Sequence, residues 1–163
     1  MSTMLYPRTT ASRRVLDING FWKIYFDFRG DGRAKGYAEG IPGEEVIPVP
    51  SSFADFYTEK ELRDFCGDIW YETSFFVPEE YRGSRVELRF SAVAHRAEVY
   101  VNGEKKCFHE GGFVPFCVDV SECVKYQAEN RLVVMVNNEL SATSLPNGTT
   151  KVLKNGGRRT VPY

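Results

Sequence analysis

RVELRFSAVAHRAEVYVNG, residues 85–103, decides how this chain folds. Val86, Leu88 and Phe90 alternate with Glu87, Arg89 and Ser91, the period-2 pattern of a half-buried strand. After a break at residues 91–94 the alternation resumes, with Ala97, Val99 and Val101 on one face and Glu98, Tyr100 and Asn102 on the other. Asn102-Gly103 then closes the run. Asn-Gly is a strong hairpin signal because both residues tolerate positive φ. Two strands and a turn fit in the stretch, and a lone hairpin is marginal in water, so it must belong to a larger sheet.

The same rhythm recurs on both sides of this stretch. In GFWKIYFDF (residues 20–28), Trp22, Ile24 and Phe26 form an apolar face and predict a strand with those residues inward. Residues 29–43 hold five glycines and read as a loop. Residues 44–49 read as a short edge strand ended by Pro48 and Pro50. Residues 51–68 break the β rhythm and fit either a helical turn capped by Ser52 or an irregular loop, with Phe53, Phe56, Leu62 and Phe65 to one side. IWYETSFFV (residues 69–77) is a strand stopped by Pro78. Residues 104–108 and 113–120 supply two more, and RLVVMVN (residues 131–137) is apolar on both faces, which marks a central strand. Residues 1–17 read as an irregular arm and residues 141–163 as a loop or linker tail. The expected organisation is therefore a sandwich over residues 1–140 followed by that tail.

About eight short strands separated by turns predict an all-β fold, a two-sheet antiparallel β-sandwich of jelly-roll type. An immunoglobulin-type sandwich is the alternative, weakened because no Cys…Trp…Cys order occurs at the expected separation. Composition agrees: 163 residues suit one domain, and 42% hydrophobic content supports a packed core. A net charge of -1 argues against a protein built to bind nucleic acid or an anionic membrane. The four cysteines, at 66, 107, 117 and 123, show no CxxC spacing and read as reduced, buried small residues rather than a zinc site or disulfide frame. The N-terminus has no apolar core of a secretory signal and the longest apolar run, Leu132 to Val136, is too short to span a bilayer, so a cytoplasmic setting is expected; Met4 is a second candidate start.

Seven blocks in order then carry a resemblance. They are Asp17-Ile18-Asn19-Gly20-Phe21-Trp22, Val49-Pro50-Ser51-Ser52-Phe53, Asp68-Ile69-Trp70-Tyr71, Leu88-Arg89-Phe90-Ser91-Ala92-Val93, AEVYVNG (97–103), GGFVPF (111–116) and NRLVVMVNNEL (130–140). The chain resembles the N-terminal sugar-binding domain of glycoside hydrolase family 2. It is most similar to the β-glucuronidases through LYPRTT (5–10) and VNNELSATSLPNG (136–148). The resemblance implies a galactose-binding-domain-like sandwich that precedes an immunoglobulin-like domain and a catalytic barrel. It places the family's two catalytic glutamates on that barrel and assigns neither to a position here. It implies no cofactor. The partners it implies are a glucuronide or related β-glycoside, the two downstream domains and a further copy in a homo-oligomer, with no nucleic acid or membrane.

Candidate chemistry is sparse. Glu44-Glu45 and Glu79-Glu80 are adjacent carboxylates, but strand neighbours point to opposite faces, so they read as solvated surface. Asp119 reads as solvent-facing or a turn anchor. His95 and His109 read as structural, with a functional role as the alternative. GxSxG and a phosphate-binding glycine loop are absent from the sequence. Asn137, Asn138 and Glu139, after the most apolar strand, are candidates for a turn or inter-domain hydrogen bonding, or for a sugar rim. Tyr57, Tyr81 and Tyr100 read as rings packed on their neighbours at the sheet surface, with stacking on a sugar as the alternative. Three functions follow: a non-catalytic accessory domain of a β-glucuronidase-like hydrolase, an autonomous carbohydrate-binding module, and a purely structural interaction domain.

Overall fold

The computed structural model describes residues 7–144, 147–153 and 158–162. Residues 1–6 of the expected arm, with the candidate start at Met4, lie outside the described residues, as do Pro146 and Gly156-Gly157 of the tail.

The described strands are β1 (Gly20–Phe26), β2 (Val46–Val49), β3 (Asp68–Val77), β4 (Glu87–Phe90) and β5 (Arg96–Val101). They continue with β6 (Glu104–Glu110), β7 (Phe116–Asp119), β8 (Ala128–Asn137), β9 (Gly148–Val152) and β10 (Arg158–Pro162). One short helix, α1 (Lys60–Arg63), and isolated 3-10 turns lie between them. Among the described residues no helix is long and apolar enough to cross a membrane.

Six strands form one antiparallel sheet in the order β2-β1-β3-β8-β5-β6, and β4 and β7 form a second, smaller one. This is the expected two-sheet antiparallel sandwich, with unequal layers. The centre falls on β3 and β8, paired over ten residues from Asp68↔Asn137 to Val77↔Ala128. That central place explains why residues 131–137 are apolar on both faces: Leu132, Val134 and Val136 join the core between the sheets, while Val133 and Met135 join a second cluster.

The core between the sheets unites Trp22, Phe75, Leu88, Ala97, Val99, Val101, Val118 and Val120 with those β8 residues. Each large apolar side chain buried there is worth about 1.5–3 kcal/mol. Residues 51–68 cover the rest of that face. They form the 3-10 turn Phe53–Asp55 and α1, and bring Phe53, Leu62 and Phe65 onto Ile24, Phe26, Ile47 and Ile69. Phe56, expected to join them, is exposed at 52%.

Three expectations are corrected. The two strands of the opening stretch do not pair with each other. β4 pairs with β7 in the small sheet, while β5 lies between β8 and β6 in the large one. The Asn102-Gly103 turn does make a hairpin, joining β5 to β6, with Asn102 at φ 52° and Gly103 at φ 87°. Secondly, residues 141–163 are not only loop: β9 and β10 pair as a hairpin from Gly148↔Pro162 to Val152↔Arg158. Thirdly, the cysteines are free but none is fully buried; Cys66, Cys107 and Cys123 are half-buried and Cys117 is exposed.

Residues 29–43 form a loop, as expected, but they fold back over the outer face of the large sheet. Tyr37 and Ile41 are buried against Trp70, Tyr100, Val133 and Met135. Gly32 sits where a Cβ would lie 2.5 Å from the Tyr37 ring, 2.7 Å from Trp70 Nε1 and 2.8 Å from Asp27 Oδ2, so only glycine lets the loop descend that far.

Candidate functional site

The outer-face loop creates a polar cluster from residues far apart in sequence. Asp27, 5% exposed at the end of β1, accepts from Gly32 N (2.8 Å), Asp31 N (3.2 Å) and Trp70 Nε1 (3.4 Å). Arg33, carried on the same loop, bridges Glu98 Oε2 at 3.0 Å and Asp68 Oδ2 at 2.7 Å. Lys105 Nζ stands 2.8 Å from Glu98 Oε1, and the Tyr100 hydroxyl donates to Glu98 Oε2 at 2.5 Å.

These contacts set the ionisation of the cluster. Burial pushes the Glu98 carboxyl up, but hydrogen bonds from Lys105, Tyr100 and Arg33 outweigh it and hold the group down at about 2. Burial and the adjacent Glu98 both push the Tyr100 hydroxyl up. Glu98 is therefore an ionised carboxylate fixed between two cations and a phenol.

Tyr100 is consequently not an exposed stacking ring. It is 8% exposed and lies against Trp70, with ring centroids 5.9 Å apart and planes at 29°. Tyr57 is half-buried with its edge to Phe26 at 5.2 Å, and Tyr81 is half-buried against the core between the sheets.

Asn137, Asn138 and Glu139 stand together at the end of β8, next to that cluster. Asn137 Nδ2 donates to Asp68 Oδ1 at 2.6 Å, and its Oδ1 accepts from Glu139 N at 3.0 Å. Asn138 Oδ1 accepts from Gly67 N at 2.9 Å while its Nδ2 donates to Phe65 O at 2.8 Å. Glu139 pairs with Arg158 of β10. The three side chains thus tie the end of β8 to β3, to residues 65–67 and to the β9–β10 hairpin. Asp68 joins this clasp to the outer-face cluster through Arg33.

The other candidates are separate from this region. Glu44, Glu45, Glu79 and Glu80 are exposed. Asp119 is a turn anchor: its Oδ1 accepts from Ser121 N at 3.0 Å and from Ser121 Oγ at 2.6 Å, and Arg85 lies at 3.1 Å. Those Ser121 hydrogen bonds, with Arg85, hold its carboxyl below the usual range. His109 stacks on Phe116 at 4.0 Å. No group of three or more metal-ligating side chains is found among the described residues.

An open groove of about 640 Å³ crosses the part of the outer face that the loop leaves uncovered. Lys23, Glu72, Ser74 and Arg131 line it, with Phe21 and Val46 at 75% and 53% exposure. Sequence reading missed this groove and also missed Asp27, Arg33, Asp68 and Glu98. The one available signal was the glycine density of residues 29–43, of which Gly32 is the position where the loop meets the sheet too closely for a side chain.

The geometry defines a class first: a two-layer antiparallel sandwich whose polar strand ends clasp neighbouring loops. The comparisons then give the family. The pattern of the "Glycosyl hydrolases family 2, sugar binding domain" matches residues 15–149, and the chain belongs to that family. A β-glucuronidase of Paenibacillus borealis is 37% identical over 149 residues, covering 91% of this chain and 25% of that protein. The human β-glucuronidase is 37% identical over 164 residues, covering 92% and 25%. Among solved structures, Ruminococcus gnavus β-glucuronidase superposes with a TM-score of 0.95 at 46% identity, over 98% of this chain and 26% of that one. The Lactobacillus rhamnosus enzyme gives 0.94 at 46% identity, over 96% and 27%. The chain thus spans about a quarter of the length of these relatives.

Proposed function

We propose that this chain is the N-terminal sugar-binding, accessory domain of a β-glucuronidase-like glycoside hydrolase. In that enzyme it packs against a catalytic barrel and shapes one wall of the substrate entrance. Bond cleavage belongs to the barrel. Retaining hydrolysis needs two carboxylates about 5–5.5 Å apart flanking the scissile bond, one of them with a raised pKa. Two carboxylates are buried among the described residues: Asp27 accepts from Gly32 N, Asp31 N and Trp70 Nε1, and Glu98 is held low and saturated by Arg33, Lys105 and Tyr100.

The observation that carries this reading is the family match over residues 15–149, in a chain about a quarter the length of its β-glucuronidase relatives. The same reading gives the chain its partners: a glucuronide or related β-glycoside, immunoglobulin-like and barrel domains, and a second copy in a homo-oligomer. Four free thiols fit a reducing, cytoplasmic setting. The alternative, an autonomous carbohydrate-binding module, loses one of its proposed stacking rings with the burial of Tyr100.

A chromogenic glucuronide assay on the purified chain tests the proposal. Release of chromophore should match the blank. Sustained turnover that co-purifies with the chain through successive columns would overturn the assignment of chemistry to the barrel.

A further inference from the structure

His95 is 1% exposed, and neither ring nitrogen has a hydrogen-bond partner. Burying an unpaired polar ring is costly, and such a group in a native structure calls for an explanation. Its backbone joins three segments. His95 N donates to Asn137 O at the end of β8 (3.3 Å), and His95 O accepts from Gly111 N in the turn after β6 (2.8 Å). Residues 91–95 are the crossover that carries the chain from the small sheet to the large one. The turn also lies beside the crossover: a Cβ on Gly112 would meet Ala94 at 3.5 Å and His95 Cβ at 3.6 Å, ordinary packing distances.

The charged groups facing the ring are few. Glu110 Oε1, on β6, lies 3.7 Å from Nε2, too long for a hydrogen bond, and its side chain is 41% exposed. Arg96, the next residue and the first of β5, stands 3.5 Å from that carboxylate. At the end of β8 the neutral Asn137 carbonyl accepts from His95 N, and His109 of β6 is turned to Gly111 O at 3.1 Å.

We propose that His95 makes this junction an acid-released catch: neutral, it packs between the crossover and the turn; protonated, it leaves the core towards Glu110 and frees both segments. Burial, then the nearby Arg96, hold the imidazole below its usual 6.5, against the pull of Glu110. The sign follows from linkage. The unfolded chain takes up the proton first, so the contribution of His95 to stability is complete above about pH 6.5 and is lost as pH falls through the lower folded value.

The test follows the imidazole signals of the full chain by NMR from about pH 8 to about pH 4.5, together with amide exchange corrected for its intrinsic rate. The His95 ring should titrate below 6.5. Exchange at residues 94–96, 111, 112 and 137 should accelerate as it does, by about tenfold for each unit separating the folded from the free value. In His95→Phe that acid-dependent rise should vanish, and in Glu110→Gln it should persist at a lower pH. Three results would overturn the proposal: a ring that titrates at or above 6.5, a ring that stays neutral to the end of the range, or an exchange rise unchanged in His95→Phe. If His95→Phe fails to fold, the coincidence of ring titration and local exchange in the natural chain decides.

Discussion

Replacing Asn138 by alanine separates a structural clasp from a sugar contact. The side chain makes two hydrogen bonds of good length, from Gly67 N at 2.9 Å and to Phe65 O at 2.8 Å. Each is worth about 0.5–1.5 kcal/mol net, and truncation leaves two partly buried backbone groups without those partners. The expected loss is about 2 kcal/mol. For a domain of this size 1 kcal/mol moves the midpoint by about 2–4 °C, so the thermal transition should fall by about 4–8 °C. Asn138→Asp keeps the acceptor for Gly67 N but turns a carboxylate oxygen towards Phe65 O, and should lose at least half as much. Melting followed by circular dichroism, with added glucuronate as a second arm, reads both. An alanine variant that melts with the natural chain but loses a sugar-induced rise in midpoint would refute the clasp and make Asn138 a ligand contact.

Other substitutions test other parts of the framework. Asn130 is fully buried, and its amide serves Lys125 N, Lys125 O, Ala128 O and Asn102 Nδ2, so Asn130→Ala should cost about 3 kcal/mol and lower the urea midpoint by 1 M or more. Gly32→Ala overpacks the outer-face loop against Tyr37, Trp70 and Asp27 and should cost about 1–3 kcal/mol by the same measurement. Glu98 is held at about 2 against an ordinary 4.5. The unfolded chain therefore binds that proton first, and the stability Glu98 supplies is full above about 4.5 and lost as pH falls towards about 2. Glu98→Gln should be less stable at pH 7, and the gap from the natural chain should narrow across that window in a melting series at stepped pH.

The strands of the large sheet were legible because their inward faces are periodic. Trp22, Ile24 and Phe26 alternate, and so do Ala97, Val99 and Val101, and burial alone decides such positions. Pairing was less legible. Period 2 says that residues 86–90 form a strand, yet nothing in that run says its partner is β7 rather than β5. The β9–β10 hairpin was missed because GTTKV and RRTVP lack an apolar alternation; their register shows only in the pairing itself. What covers Tyr100 was not legible, for a physical reason. Glu98 and Tyr100 look like a solvent face, but a glycine-rich loop from 60 residues upstream brings Arg33 and covers them. Asn137, Asn138 and Glu139 were legible as a polar cluster, whereas their partners at Phe65, Gly67, Asp68 and Arg158 are set by tertiary contacts.

If the polar groups at the strand ends are engaged within the chain, sugar is held only where further domains complete the site. Calorimetric titration of the purified chain with D-glucuronic acid and with a glucuronide tests this most directly. No binding tighter than millimolar is expected. Saturable binding with a submillimolar Kd, abolished by substituting residues of the clasp, would contradict it.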